Sequence, residues 1–222
     1  MLGMQEKVSV GGVPYDFVRV IQYPGFQRVP DAMVKQALAN KKFSKVHAFL
    51  SQRDDIALIE LAKPVQGVTP MPLYRGSAEK GKKVEIVGKG ATGNGLTGIK
   101  AKASHRTVLR RAYNMVTGAD GRWLWYTFDA PPAALPLEGI SGSGDSGGPL
   151  ILNVHGENEL AGLTSWIKPG GDHGLKTGFY GEVSYDVRIS HYADWIEKTV
   201  AAYPCCVAAK ASDGKGAMGA QR

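Results

Sequence analysis

The segment Gly144-Asp145-Ser146-Gly147-Gly148-Pro149-Leu150 carries the residue types that acyl transfer requires. A serine flanked by glycines can sit on a sharp turn whose backbone N–H groups converge on one small space, and the glycines leave room for a substrate to approach. The Ser146 hydroxyl would then attack a carbonyl beside donors that hold the resulting oxyanion, each worth roughly 3 to 4 kcal/mol in the transition state. The same residues also fit a plain Gly/Ser surface turn.

A turn of that kind has to be held by other elements, and the surrounding chain reads as all-β. Residues 7–22, KVSVGGVPYDFVRVIQ, form two alternating segments about a Gly-Gly-Val-Pro turn. Between residues 31 and 49, Met33, Val34, Ala37, Leu38, Phe43, Val46 and Phe49 recur at helical spacings, with Asp31 as the expected cap. That pattern predicts one or two short helices set between strands. Residues 55–61, DIALIEL, read as a strand after an acidic start, and LAKPVQGVTPMPL follows as a proline-punctuated connector of the kind that separates domains. From residue 82 onward, short strands such as KKVEIVGKG, WLWYTFDA, GPLILNV, ELAGLTSWI and FYGEVSYDV alternate with Gly-rich turns. This spacing favours a sandwich or barrel over βαβ units. A helix from about Ser190 places Tyr192, Trp195, Ile196, Val200 and Tyr203 on one face. Residues 204–222, rich in Ala, Gly and Lys, lack apolar periodicity and are expected to be disordered.

The formal charge of +7 comes from scattered Lys and Arg that form no basic stripe with aromatics, so no nucleic-acid partner is expected. Cys205 and Cys206, the only cysteines, are neighbours and cannot clamp a long loop. No His, Cys or acidic cluster has ligand spacing, and neither a metal nor an organic cofactor is implied. No run is fit to span a bilayer, and the first residues contain no stretch suited to an export signal. The chain is expected to act off the membrane, as a monomer.

A bare G-x-S-x-G also fits the nucleophile elbow of α/β-hydrolases, but that elbow leads into a helix, whereas Pro149 and LILNV follow here. The longer GDSGGP resembles the nucleophile signature of the trypsin-like serine proteases. Other landmarks follow in that family's order. Asp55-Ile56-Ala57-Leu58-Ile59 resembles the strand of the triad aspartate, and LAKPVQGVTPMPL the interdomain connector. Ser165-Trp166 resembles the strand bordering the substrate groove, Gly178-Phe179-Tyr180 the pocket's far wall, and the terminal helix closes the series. The resemblance spans roughly residues 8–203.

It implies two antiparallel six-stranded β-barrels, the first incomplete, with a C-terminal helix. A partial first barrel would occupy residues 1–72, with a helical insertion at about 31–49. The second would occupy 73–189, the helix 190–203 and a tail 204–222. By the same resemblance the chain is a serine endopeptidase acting on polypeptides, extracellular or periplasmic. Ser146 is the nucleophile, the N–H groups of Gly144 and Ser146 form the oxyanion hole, and Asp55 orients the triad imidazole. Asp145 is the residue beside which active relatives insert their terminal ammonium.

This sequence departs from the family where the triad histidine should stand, since no Ala-Ala-His-Cys-like motif precedes Asp55. The missing segment is expected before Met1. His47, eight positions before Asp55, reads as a residue of the helical insertion, and His105, His155, His173 and His191 as ordinary second-barrel positions. A serine without a base is a weak nucleophile, so little peptidase turnover is expected of the chain as written. A non-catalytic homologue serving as a binding or regulatory module is the competing reading.

For specificity, the resemblance puts Ile140 at the pocket floor and Ile167 at its entrance, with Ser165, Trp166 and Gly178 along the walls. Small or medium apolar substrate side chains are expected. Glu138 leaves a basic preference open if the loop shifts by two residues. The insertion before Asp55 is expected near the substrate groove.

Overall fold

The computed structural model describes residues 7–100, 108–171, 173 and 176–203. The tail 204–222 and His105 lie outside them.

Strand β1 (Lys7–Val10) pairs antiparallel with β2 (Val13–Gln22) about Gly11 and Gly12. Their φ angles of 58° and 83° are the left-handed values that a two-residue hairpin turn demands. After two helices, α1 (Asp31–Asn40) and α2 (Ser44–Ser51), β3 (Ala57–Leu61) adds to the free edge of β2. The resulting three-stranded sheet is open, and Val13, Phe17, Val18, Val20 and Ile59 are exposed on it. Asp31 is the first helical residue rather than the cap, which is Pro30, and its carboxylate accepts from Arg28 at 2.9 Å.

The remaining strands are β4 (Lys83–Gly88), the short pair β5 (Gly93–Asn94) and β6 (Gly98–Ile99), β7 (Arg110–Asp120), β8 (Trp123–Thr127), β9 (Pro149–Val154), β10 (Glu157–Lys168) and β11 (Val183–Arg188). Six of them close into an antiparallel barrel in the order β10-β11-β8-β7-β4-β9. Period-two alternation turns Val84 and Ile86 of β4, Leu124 and Tyr126 of β8, and Leu150 and Leu152 of β9 inward, where Val116 and Ala161 complete the core. Burying each large apolar side chain contributes about 1.5 to 3 kcal/mol. The all-β expectation holds, with one closed six-stranded barrel and a C-terminal helix, α3 (Ile189–Ala202).

A second apolar cluster joins the open sheet to the barrel and α3. Ile56 and Tyr23 pack with Trp123, Val187, Ile189, Tyr192, Trp195 and Ile196. Polar ties fix the same junction. The Trp123 indole N–H donates to the Ser51 carbonyl at 2.8 Å, and the Tyr192 hydroxyl donates to Asp54 Oδ1 at 2.6 Å. Burial and the Asp54 carboxylate both push the Tyr192 phenol well up, so it remains a donor at any ordinary pH. The chain from Ser51 to Ile56 is thereby pinned against the barrel with Asp55 between two anchored neighbours.

At the start of α3 the fully buried Glu79 receives both Nε and Nη2 of Arg188, at 2.6 and 3.0 Å, and the Ser190 hydroxyl at 3.1 Å. No helix of the described residues is long and apolar enough to cross a membrane.

Candidate active site

Ser146 lies in the loop that leads into β9. Gly144 takes φ 96°, a conformation open to glycine and strained for other residues, and Gly147 N–H donates to the Thr164 carbonyl of β10 at 2.8 Å. Thr164 N–H donates in return to the Gly148 carbonyl at 2.9 Å. The serine is exposed at this turn. Among the described residues, neither its hydroxyl nor the N–H groups of Gly144 and Ser146 have a hydrogen-bond partner. Two donors and a nucleophilic oxygen are therefore left free on one exposed turn, as acyl transfer needs.

Asp145 anchors that turn. Its Oδ1 accepts from Gly90 N–H at 2.6 Å and its Oδ2 from Gly142 N–H at 2.8 Å, while Ala91 N–H donates to the Ser143 carbonyl at 2.8 Å. A Cβ at Gly88 or Gly90 would fall 2.0 or 2.4 Å from atoms of that carboxylate, so the approach requires glycine there. Asp145→Ala removes two charge-assisted bonds, and we expect a loss of about 2 to 4 kcal/mol in urea-denaturation stability.

Asp55, before β3, accepts from the Ser165 hydroxyl at 2.6 Å. This bond ties the segment before β3 to β10 one residue beyond Thr164, which itself holds the Ser146 turn. Trp166 stacks on Tyr185 at 4.1 Å between ring centroids and on His47 at 5.4 Å. His47 thus lines a groove of about 450 Å³ between α2 and β10, with Phe43, Ser51, Trp166, Lys168 and Tyr185. Burial, then the charge of Lys168, lower its pKa from 6.5, which keeps the ring neutral at pH 7. His173 stacks on Phe179 and His191 meets Tyr192 edge-on. Among the described residues no histidine is hydrogen-bonded to Ser146 or Asp55.

The pocket positions are less uniform. Ile167 stands opposite Ser184 in the β10–β11 register, and Gly178 N–H donates to the buried Glu182 carboxylate at 2.6 Å. Ile140 packs against the barrel core and lines a cavity of about 190 Å³ beside Asp145. Glu138 is occupied by backbone, its oxygens accepting from Asp129 N–H at 2.8 Å and Leu135 N–H at 2.6 Å.

Sequence comparison matches this chain to the trypsin family model over residues 27–196. The chain belongs to the trypsin family. Trypsin II-P29 of Gallus gallus is 38% identical over 69 residues, a match covering 30% of this chain and 23% of that protein's length. The match therefore spans well under half of that relative's length.

Sequence reasoning passed over a polar group beneath the turn, made of Tyr126, Ser141, Thr164, Ser184 and Asp186, all buried. A signal was present. In β11, VSYDVR, the inward positions are Ser184 and Asp186, and polar residues at core positions of a strand call for an explanation.

Proposed function

We propose that the chain is a serine endopeptidase domain in which Ser146 attacks the scissile carbonyl of a polypeptide and carries the acyl group. The Gly144 and Ser146 N–H groups hold the oxyanion, and Asp55, steadied by Ser165, orients the imidazole that takes the serine proton. The observation that carries this reading is the exposed turn with its two free N–H donors, clamped by Asp145 on one side and by Thr164 on the other. A binding module has no need of unpaired donors beside a free hydroxyl.

The chemistry divides into acylation and hydrolysis of the ester, and each passes through an oxyanion at the same two donors. The groove beside Trp166 and His47 lies along β10, where an extended substrate would pair with the strand edge. Substrate of this kind meets the enzyme outside the cytoplasm, as is usual for trypsin-family proteins.

With no histidine among the described residues bonded to Ser146 or Asp55, the serine proton has no acceptor among those residues. Peptide turnover by the purified chain alone is therefore expected to fall at or below the background set by Ser146→Ala. The check is release of a fluorophore from peptide amides. Serine-dependent turnover by the chain alone would show that it supplies its own base. The same observation favours the non-catalytic reading only if the serine also fails to acylate when a base is provided.

A further inference from the structure

The positive charge of the chain is less scattered in space than along the sequence. Residues 31–51 hold four lysines and one aspartate, and that aspartate, Asp31, is taken by Arg28 at 2.9 Å. Lys41, Lys42 and Lys45 are exposed, as is Lys168 at the end of β10. Among the described residues none of these four forms an ion pair.

Folding collects the four cations on two adjoining hollows. Lys41 and Lys168 line the groove of about 450 Å³ together with Phe43, Trp166 and Tyr185. Lys42 and Lys45 line a second cavity, of about 350 Å³, with Gln36 and Asn40 of α1, and Ser44 borders both. Lys41 ends α1 at φ 51°, in the left-handed region that a helix C-terminus ordinarily gives to glycine. Such a conformation persists where the structure around it holds it, and here the Lys41 and Lys42 N–H groups bond to the Leu38 and Ala37 carbonyls at 3.3 and 3.0 Å. The positive field reaches into the groove, where Lys168 adds to burial in lowering the pKa of His47.

The groove continues the line of β10 away from the Ser146 turn. Thr164 holds that turn, Ser165 bonds to Asp55, and Lys168 stands three positions beyond Ser165. An extended strand rises about 3.3 Å per residue, so roughly 10 Å separates the last two. A polypeptide lying along β10 with its scissile bond at Ser146 would therefore bring residues about three to five positions from that bond among the lysines. Acidic side chains there would meet the ammonium groups, and apolar parts of the same segment would cover Phe43 and Trp166.

We propose that the helical insertion is a docking site for an acidic polypeptide segment, in which Lys41, Lys42, Lys45 and Lys168 select substrates carrying a run of aspartate or glutamate a few residues from the scissile bond. The inference rests on the peptidase reading above and names the substrate class of that site. It is carried by the insertion and the far end of β10, and it makes no demand on the residue at the bond itself.

Fluorescence anisotropy of the whole 222-residue chain with two labelled peptides tests this, one containing four consecutive glutamates and the other four glutamines. A single exposed ion pair contributes little, so the effect is read on several together. At about 50 mM salt the glutamate peptide is expected to bind at least about tenfold more tightly, and the difference should shrink at about 300 mM as the charges are screened. The triple variant Lys41→Gln, Lys42→Gln, Lys45→Gln should lose most of that preference. The triple variant Lys80→Gln, Lys82→Gln, Lys83→Gln loses the same charge around the start of β4 and should keep it, which separates a site from bulk charge. Near-ultraviolet circular dichroism establishes that both variants are folded. Equal binding of the two peptides, or an equal loss in the two triple variants, would overturn the proposal. So would a heparin fragment that binds through the insertion lysines while the glutamate peptide does not. Acylation of Ser146 is followed separately. Lysine-dependent binding without acylation leaves a docking site for acidic polypeptide and removes the peptidase reading, whereas acylation with binding that ignores the insertion lysines removes the docking assignment alone.

Discussion

Asp186→Asn is expected to stabilise the protein by about 4 kcal/mol at pH 8 and by almost nothing at pH 4. The sign follows from which state holds the proton more tightly. The carboxyl ordinarily titrates near 3.8 and is raised to about 7 in the folded chain. Between those values the folded state binds the proton and the unfolded state has lost it, so stability is full below about 4 and falls as the pH rises through about 7. Asparagine matches the neutral acid in shape and never ionises, so its variant should lose this component of the pH dependence. Urea midpoints of both proteins from pH 4 to pH 8 give the comparison. Parallel curves would mean that Asp186 is not a buried, unpaired acid.

Imidazole supplied in solution is expected to accelerate acylation of Ser146 by an activated ester at least about tenfold, an effect well short of a positioned base because the free ring must first be captured and oriented. Among the described residues the turn is exposed, its N–H donors are unpaired and no histidine is bonded to Ser146, so on the proposed reading an added base should act. Asp55 gives a second readout. If Asp55, held by Ser165 at 2.6 Å, orients the imidazole as proposed, Asp55→Asn should remove most of the acceleration while leaving the imidazole-free rate nearly unchanged. Acceleration that is equal in Asp55→Asn would mean that imidazole acts as an unplaced buffer base.

The fold class was legible because the inward residues of β4, β8 and β9 alternate plainly in the sequence and glycine turns separate the strands. The exposed turn at Ser146 was legible because the residues that form it lie within seven consecutive positions. What sequence could not supply was direction and register. Counting back six residues from Ser146 reaches Ile140, but the count does not say that its side chain packs on the core. Asp186 sits in an ordinary-looking strand. It acquires meaning only when pairing brings Thr164 opposite it and folding brings Ser141 to Ser184, residues far apart along the chain. Glu79 reads as one charge in a polar stretch, yet it is fully buried against Arg188, a partner 109 positions away. Asp145 is a further case, its carboxylate bonded to the Gly142 N–H close by and to the Gly90 N–H 55 positions away, a partner that only folding brings near.

The claim on which the rest depends is that the Ser146 oxygen accepts an acyl group. Mass spectrometry of the chain after incubation with an activated p-nitrophenyl ester, with and without imidazole, tests it directly. The account predicts one acyl adduct, mapped by fragmentation to Ser146, formed faster with imidazole and absent from Ser146→Ala. An unmodified Ser146 under both conditions, or an adduct that persists in Ser146→Ala, would contradict it.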